Sequence, residues 1–179
     1  MDKTKKNLTA RITTTAILCA ISLVTFVIEN AFPPLFLPGA KMGLPNIFSL
    51  FALVCFGYID ALIIVLVRTT LGSLIVGNLT SLIYSMSAGV ISLSICALLF
   101  YALFPKVSLI SISIVGAVCH NLIQNLIFCW ISQTPKLFSY MPYLAIIGVI
   151  SGAIVGLTTL LLIKKIPSSA ISKAFLRNK

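Results

Sequence analysis

Acidic residues are nearly missing from this chain: Asp2, Glu29 and Asp60 are the only three in 179 residues. Charged residues of either sign make up 9% of it, and there is one histidine. A catalytic centre built on paired carboxylates, or a metal site built on several acids and histidines, has little material here. No Gly-xxxx-Gly-Lys-Ser/Thr run occurs, so nucleotide binding of the P-loop kind is excluded. The five cysteines (Cys19, Cys55, Cys96, Cys119 and Cys129) are scattered through apolar segments without metal-ligand spacing. They are expected to be buried, unpaired thiols. The composition calls for no metal and no cofactor.

What remains is apolar. Hydrophobic residues make up 59% of the chain and the mean hydropathy is +1.14, the range of an integral membrane protein. A spanning helix needs about 20 apolar residues, so the length accommodates five or six spans and little else. The formal charge of +10 could suggest nucleic acid, but the basic residues form no patch on a polar domain. Their distribution suits membrane orientation instead.

The spans follow from punctuation by Pro, Gly and charge. Residues 1–11 form a basic tail, and helix one covers about 12 to 31, acting as a retained targeting signal. Pro33, Pro34, Pro38 and Gly39 rule out a regular helix in the stretch that follows. A short apolar segment runs from 44 to 56, too short for an ordinary span, then come spans at about 59–76, 79–104, 107–131 and 139–163. A second basic tail covers 164–179. With six spans both termini share a side. Placing them in the cytoplasm leaves Lys3, Lys5, Lys6, Arg11, Lys106, Lys164, Lys165, Lys173, Arg177 and Lys179 inside, with only Lys41 and Lys136 outside. The alternative, with 44–56 re-entrant and five crossings, exposes one basic end. The expected fold is an all-α integral membrane protein, a six-helix transmembrane bundle in the cell membrane.

Lipid alone does not explain seven polar residues: Lys41, Asn46, Arg68, His120, Asn121, Gln124 and Asn125. Arg68 lies mid-span, where a charge costs roughly 2.5 to 3.5 kcal/mol on insertion scales. His120 and Gln124 share one helical face, and Asn121 and Asn125 the adjoining one. One reading is structural: interhelical hydrogen bonds, with Arg68 snorkelling or pairing with Glu29 or Asp60. The other is a polar pocket in which Arg68 and Lys41 attract an anionic or carbonyl-rich ligand and Tyr84 or Trp130 covers an aromatic part. Asp60 reads as a helix N-cap or first-turn acid. Trp130, Tyr140 and Tyr143 read as interface anchors. Small residues at spacings of four, Ala16 and Ala20 on helix one and Gly148, Gly152 and Gly156 on helix six, allow close helix approach. The glycine ladder is expected to be an intramolecular contact.

The run Pro38-Gly39-Ala40-Lys41-Met42-Gly43-Leu44-Pro45-Asn46-Ile47, with Val67-Arg68-Thr69-Thr70-Leu71-Gly72 and Tyr84-Ser85-Met86-Ser87-Ala88-Gly89, resembles the Gx transporter family. Its members are often labelled heptaprenyl diphosphate synthase component I. The family in turn resembles the substrate-binding S components of energy-coupling factor (ECF) transporters. That resemblance implies capture of a vitamin-like, flavin-like or quinone-precursor solute from outside, under a loop formed by residues 32–43. It also implies docking, through Ala16 and Ala20, on a transmembrane coupling protein with two ATPases, and toppling to release the solute inside. Substrate-binding residues would be Lys41, Asn46, Arg68, Tyr84, His120, Asn121 and Gln124. The synthase label meets a chemical obstacle, since prenyl diphosphate chemistry needs acids to hold magnesium. The chain is therefore expected not to be an enzyme. Two other readings stand beside uptake: a non-catalytic membrane subunit in quinone, isoprenoid or redox metabolism, and an independent secondary carrier, which lacks visible paired repeats.

Overall fold

The computed structural model describes residues 3–31 and 42–165, with side chains from Leu8 onward. Among these residues the chain forms α1 (Lys3–Ala31), α2 (Asn46–Cys55), α3 (Tyr58–Val76), α4 (Leu79–Leu103), α5 (Leu109–Ser132), a 3₁₀ turn (Pro135–Tyr140) and α6 (Met141–Lys164). Five of these helices are long and apolar enough to cross a membrane; α2 is not. The protein is an all-α, multi-pass membrane bundle. Helix α1 starts within the basic tail, well before the expected position 12. The segment expected as loop and early helix six contains the 3₁₀ turn, opened by Pro135 near its start.

The helices close into a ring in the order α1, α3, α4, α5, α6, with α2 bridging α6 back to α1 and α3. Helix α2 is the plug of this ring. Seven of its ten residues are buried, with Ala52 and Leu53 fully so. Ile64, Val65, Ile112 and Val155 from the surrounding helices belong to the same apolar core. At about 1.5 Å per residue, ten residues span about 15 Å, half of a ~30 Å hydrocarbon core. The depth at which α2 starts is given by two hydrogen bonds. Ser22 Oγ, midway along α1, donates to the Pro45 carbonyl at 3.2 Å. Asn46 Oδ1 accepts from Arg68, eleven residues into the nineteen-residue α3. Residues 42–45 therefore lie at mid-depth. The plug fills only the half of the bundle nearest the start of α1.

At that end a second polar contact ties α1 to α3. Gly57 makes the turn from α2, and Asp60 sits in the first turn of α3 without capping it. Its carboxylate instead pairs with Arg11 and accepts from Thr15 Oγ1 at 3.0 Å. Arg11 also reaches the Phe56 carbonyl, the last residue before the turn. Asp60 is thus the partner of Arg11, leaving Arg68 to other groups.

The glycine ladder closes α6 onto α5. Cβ atoms at Gly148, Gly152 and Gly156 would come within 2.8, 2.6 and 2.8 Å of the Cα atoms of Val118, Ile114 and Ile110, themselves spaced by four. Only residues without side chains let the two backbones meet this closely. Gly72 does the same for α1, since a Cβ there would sit 2.4 Å from the Phe26 ring. The opposite faces point outward. Ile146, Ile150, Ile154, Leu157 and Leu161 of α6 are exposed, as lipid-facing residues should be. Trp130 and Tyr143 are likewise exposed near the far end of α5 and the start of α6, where aromatic anchors belong. The five cysteines are free, with Cys119 half-buried and the others buried.

Candidate ligand-binding site

Because α2 stops at mid-depth, the far half of the ring is left with an open interior. Two chambers lie there and alongside the first turns of α2, sharing Gly43, Asn46, His120 and Asn121 in their walls. The smaller has about 370 Å³ of empty space, counting its open mouth, and is walled by Glu29, Arg68, Thr69, Ser85 and Gln124 besides the shared residues. The larger, about 540 Å³ on the same basis, lies among α2, α4, α5 and α6.

Arg68 dominates the smaller chamber. Its residue is only 3% exposed, yet the guanidinium makes one hydrogen bond, Nη2 to Asn46 Oδ1 at 2.5 Å. The Nε and Nη1 groups are buried without a hydrogen-bond partner among the described residues. An unsatisfied buried donor costs about 1–3 kcal/mol, and more on a charged group. The balancing charge is Glu29, whose carboxylate acts electrostatically on Arg68. Glu29 Oε1 also accepts from the Gly43 backbone N–H at 2.6 Å, a charge-assisted bond that holds the entry to α2. Gly43 adopts φ +68°, and a side chain there would both strain the backbone and strike Asn46. The turn therefore presents Asn46 to Arg68 by way of a glycine that tolerates no easy replacement.

Helix α5 supplies the opposite wall. His120 Nδ1 meets Ser92 Oγ at 3.3 Å, joining α5 to α4. Asn121 donates to the Leu144 carbonyl at 3.2 Å, joining α5 to α6. Gln124, 5% exposed, lines the smaller chamber. Asn125 turns away and donates to Leu137 O in the 3₁₀ turn. The face shared by His120 and Gln124 thus looks into the cavity, as does its neighbour Asn121, while Asn125 holds the outer turn.

Five of the expected site residues converge here: Asn46, Arg68, His120, Asn121 and Gln124. Lys41 lies outside the described residues. Tyr84 is not part of either wall; its ring meets Phe128 edge-on, centroids 5.7 Å apart, and its neighbour Ser85 lines the chamber instead. Trp130 is 74% exposed and lines neither chamber. Ala16 and Ala20 are exposed on α1, about 100° round the helix from the buried Cys19, Ser22 and Phe26. Among the described residues no helix covers that strip.

Sequence reasoning missed the α4 wall. Ser85, Gly89, Ser92 and Cys96 recur at spacings of four, three and four and all face the cavity. That period was visible as a stripe of small and polar residues in an otherwise apolar helix.

No curated protein and no solved structure matches the chain. A family model, however, matches residues 18–162, which take in α2 to α5 whole, the second half of α1, nearly all of α6, and both chambers. The chain belongs to the heptaprenyl diphosphate synthase component I family.

Proposed function

We propose that this protein is a non-catalytic ligand-binding membrane protein that captures a small organic solute in the Arg68 cavity. The observation that carries this reading is the pair of buried guanidinium nitrogens, Nε and Nη1, with no hydrogen-bond partner among the described residues. Leaving them so is costly, and a ligand with more than one acceptor atom would satisfy them, one acceptor on the Nε–H edge and another at Nη1. The cavity is also walled by seven other polar side chains on five helices, an arrangement suited to orientation and selectivity.

The uptake reading follows if such a protein works as an S component: ligand capture from outside, then docking on a coupling protein with two ATPases. The exposed Ala16 and Ala20 strip supports it, because small residues on an outward face invite close approach by another helix. Both termini would then be cytoplasmic, with Lys106, Lys164 and Lys165 on the same side.

The family name favours a second reading, a membrane subunit beside a prenyl synthase component. On that reading too the chain itself would not perform the chemistry. Arg11, the partner of Asp60, and Glu29 are eighteen residues apart on α1, roughly 27 Å at helical rise. Carboxylates so separated cannot clamp magnesium on one diphosphate.

Affinity purification from native membranes separates the two. The uptake reading expects a coupling protein and ATPases, lost in an Ala16→Leu, Ala20→Leu variant that still folds. Recovery of a prenyl synthase subunit in their place, unaffected by the two leucines, would reverse the preference.

A further inference from the structure

The hydrogen-bonding groups left open in the smaller chamber restrict what the ligand can be, and this deepens the ligand-binding reading on which it rests. Its two walls differ in kind. On the α2–α3 side the open groups of Arg68 and Asn46 are donors. Arg68 Nε and Nη1 have no partner among the described residues, and Asn46, whose Oδ1 is spent on Arg68 Nη2, is left with its amide N–H groups. On the α5 side acceptors are open as well. Asn121 spends an N–H on the Leu144 carbonyl, which leaves its Oδ1. Gln124 is 5% exposed, lines the chamber and makes no side-chain hydrogen bond among the described residues. Its amide therefore offers a carbonyl oxygen and an NH₂ side by side.

We infer that the site selects a ligand with a ring N–H beside a C=O, as in a cyclic amide, imide or ureide, and with further acceptor atoms facing Arg68 and Asn46. The adjacent N–H and C=O pair with the Gln124 amide through two parallel hydrogen bonds, the geometry by which Gln and Asn side chains read a base edge. The remaining acceptors meet the donors on the other wall, separate atoms serving Nε and Nη1. Glu29 is already engaged by the Gly43 N–H and by the charge of Arg68, and His120 by Ser92, so the amides of α5 set the selection. A molecule with acceptors alone, such as a quinone or a prenyl diphosphate, answers Arg68. It leaves the oxygens of Gln124 and Asn121 without a proton to accept, which is costly in a desolvated site.

The test is binding to the purified full-length protein in mild detergent, by calorimetry, with uncharged bicyclic probes of similar size. These are quinazoline-2,4-dione, its 1,3-dimethyl derivative and 1,4-naphthoquinone. The first carries N–H beside C=O; the other two present carbonyls without N–H. We expect the dione to bind about tenfold or more tightly than either, a difference of ~1.4 kcal/mol. A site built to bond an N–H rejects the analogue that lacks it. In Gln124→Leu, similar in size and without hydrogen-bonding groups, that preference should disappear, and in Arg68→Ala binding of the dione should be lost. The wild-type comparison needs no variant and stands even if Gln124→Leu fails to fold. Naphthoquinone or the dimethyl derivative binding wild type as tightly as the dione would overturn the donor–acceptor rule while keeping the ligand site. Failure of every probe would overturn the rule too. The ligand-binding reading falls with it only if native mass spectrometry of wild type also finds no retained small molecule.

Discussion

Gly152→Ala probes the closest of the three glycine contacts between α6 and α5. The added Cβ would lie 2.6 Å from Ile114 Cα, 2.9 Å from Ser113 O and 3.0 Å from Ala117 Cβ. Two of these obstacles are backbone atoms, which cannot swing aside as a side-chain tip can. Alanine is the better helix former by about 0.8–1.0 kcal/mol, which favours the variant. Overpacking of a tight contact costs about 1–3 kcal/mol, and backbone obstruction places this site in the upper part of that range. The net expectation is a loss of about 1–2 kcal/mol in unfolding free energy. Reversible unfolding of the purified protein in mixed detergent micelles would read it, with Leu157→Ala on the exposed face of the same helix as the control. Because α6 also carries Ser151 and Val155 into the larger chamber, ligand affinity should fall alongside stability. A Gly152→Ala protein as stable as wild type would refute the α5–α6 contact described above, and with it the wall of that chamber.

Other perturbations have separable outcomes. Asp60→Asn leaves Arg11 without its counter-charge and should cost about 1–3 kcal/mol, less than for a fully buried pair because Arg11 keeps 29% of its side chain exposed. The same unfolding assay checks it, and an unchanged midpoint would mean that the pair does not hold α1 to α3. Gly43→Ala should lower ligand affinity more than stability, since the strained turn and displaced Asn46 lie at the site; retention of bound small molecules through purification, read beside the unfolding assay, compares the two. Ala16→Leu with Ala20→Leu should leave the unfolding midpoint within about 0.5 kcal/mol of wild type, as expected for outward-facing positions. A larger loss would show that the strip packs within the fold.

Much of the bundle was legible because lipid imposes simple rules. Gly57, Gly77, Pro105 and Gln133 stand at helix ends where expected, since backbone polar groups can be left unpaired only outside the apolar runs. The shortness of the second segment was legible too, but its consequence was not. Only the Ser22–Pro45 and Asn46–Arg68 contacts place its start at mid-depth, and those are long-range. Arg68, His120, Asn121 and Gln124 stood out because their side chains are costly in lipid. Ser85 and Ser92 did not, because a helical serine can satisfy itself on its own backbone, as Ser92 does on Gly89. Tyr84 was singled out as an aromatic near the site, but a helix turns about 100° per residue, and the inward position belongs to Ser85. Glu29 was read as a pairing partner; its place in the chamber wall depends on the Gly43 turn that folds back onto it.

The central claim is that Arg68 is kept buried for a ligand and contributes little to the fold. The most direct measurement compares wild type and Arg68→Ala for two quantities in the same preparations: small molecules retained through purification, read by native mass spectrometry, and the unfolding free energy. Removing Arg68 relieves two donor nitrogens without partners among the described residues, which offsets part of the cost of leaving Glu29 without its balancing charge, so stability should fall by about 1 kcal/mol or less. Loss of a charged hydrogen-bonding partner at the site should weaken ligand retention by about 2–5 kcal/mol, some thirtyfold or more. A bound small molecule in wild type, absent from an equally stable Arg68→Ala protein, is the predicted result. An Arg68→Ala protein that retains the same molecule, or loses stability and retention in equal measure, would contradict the account.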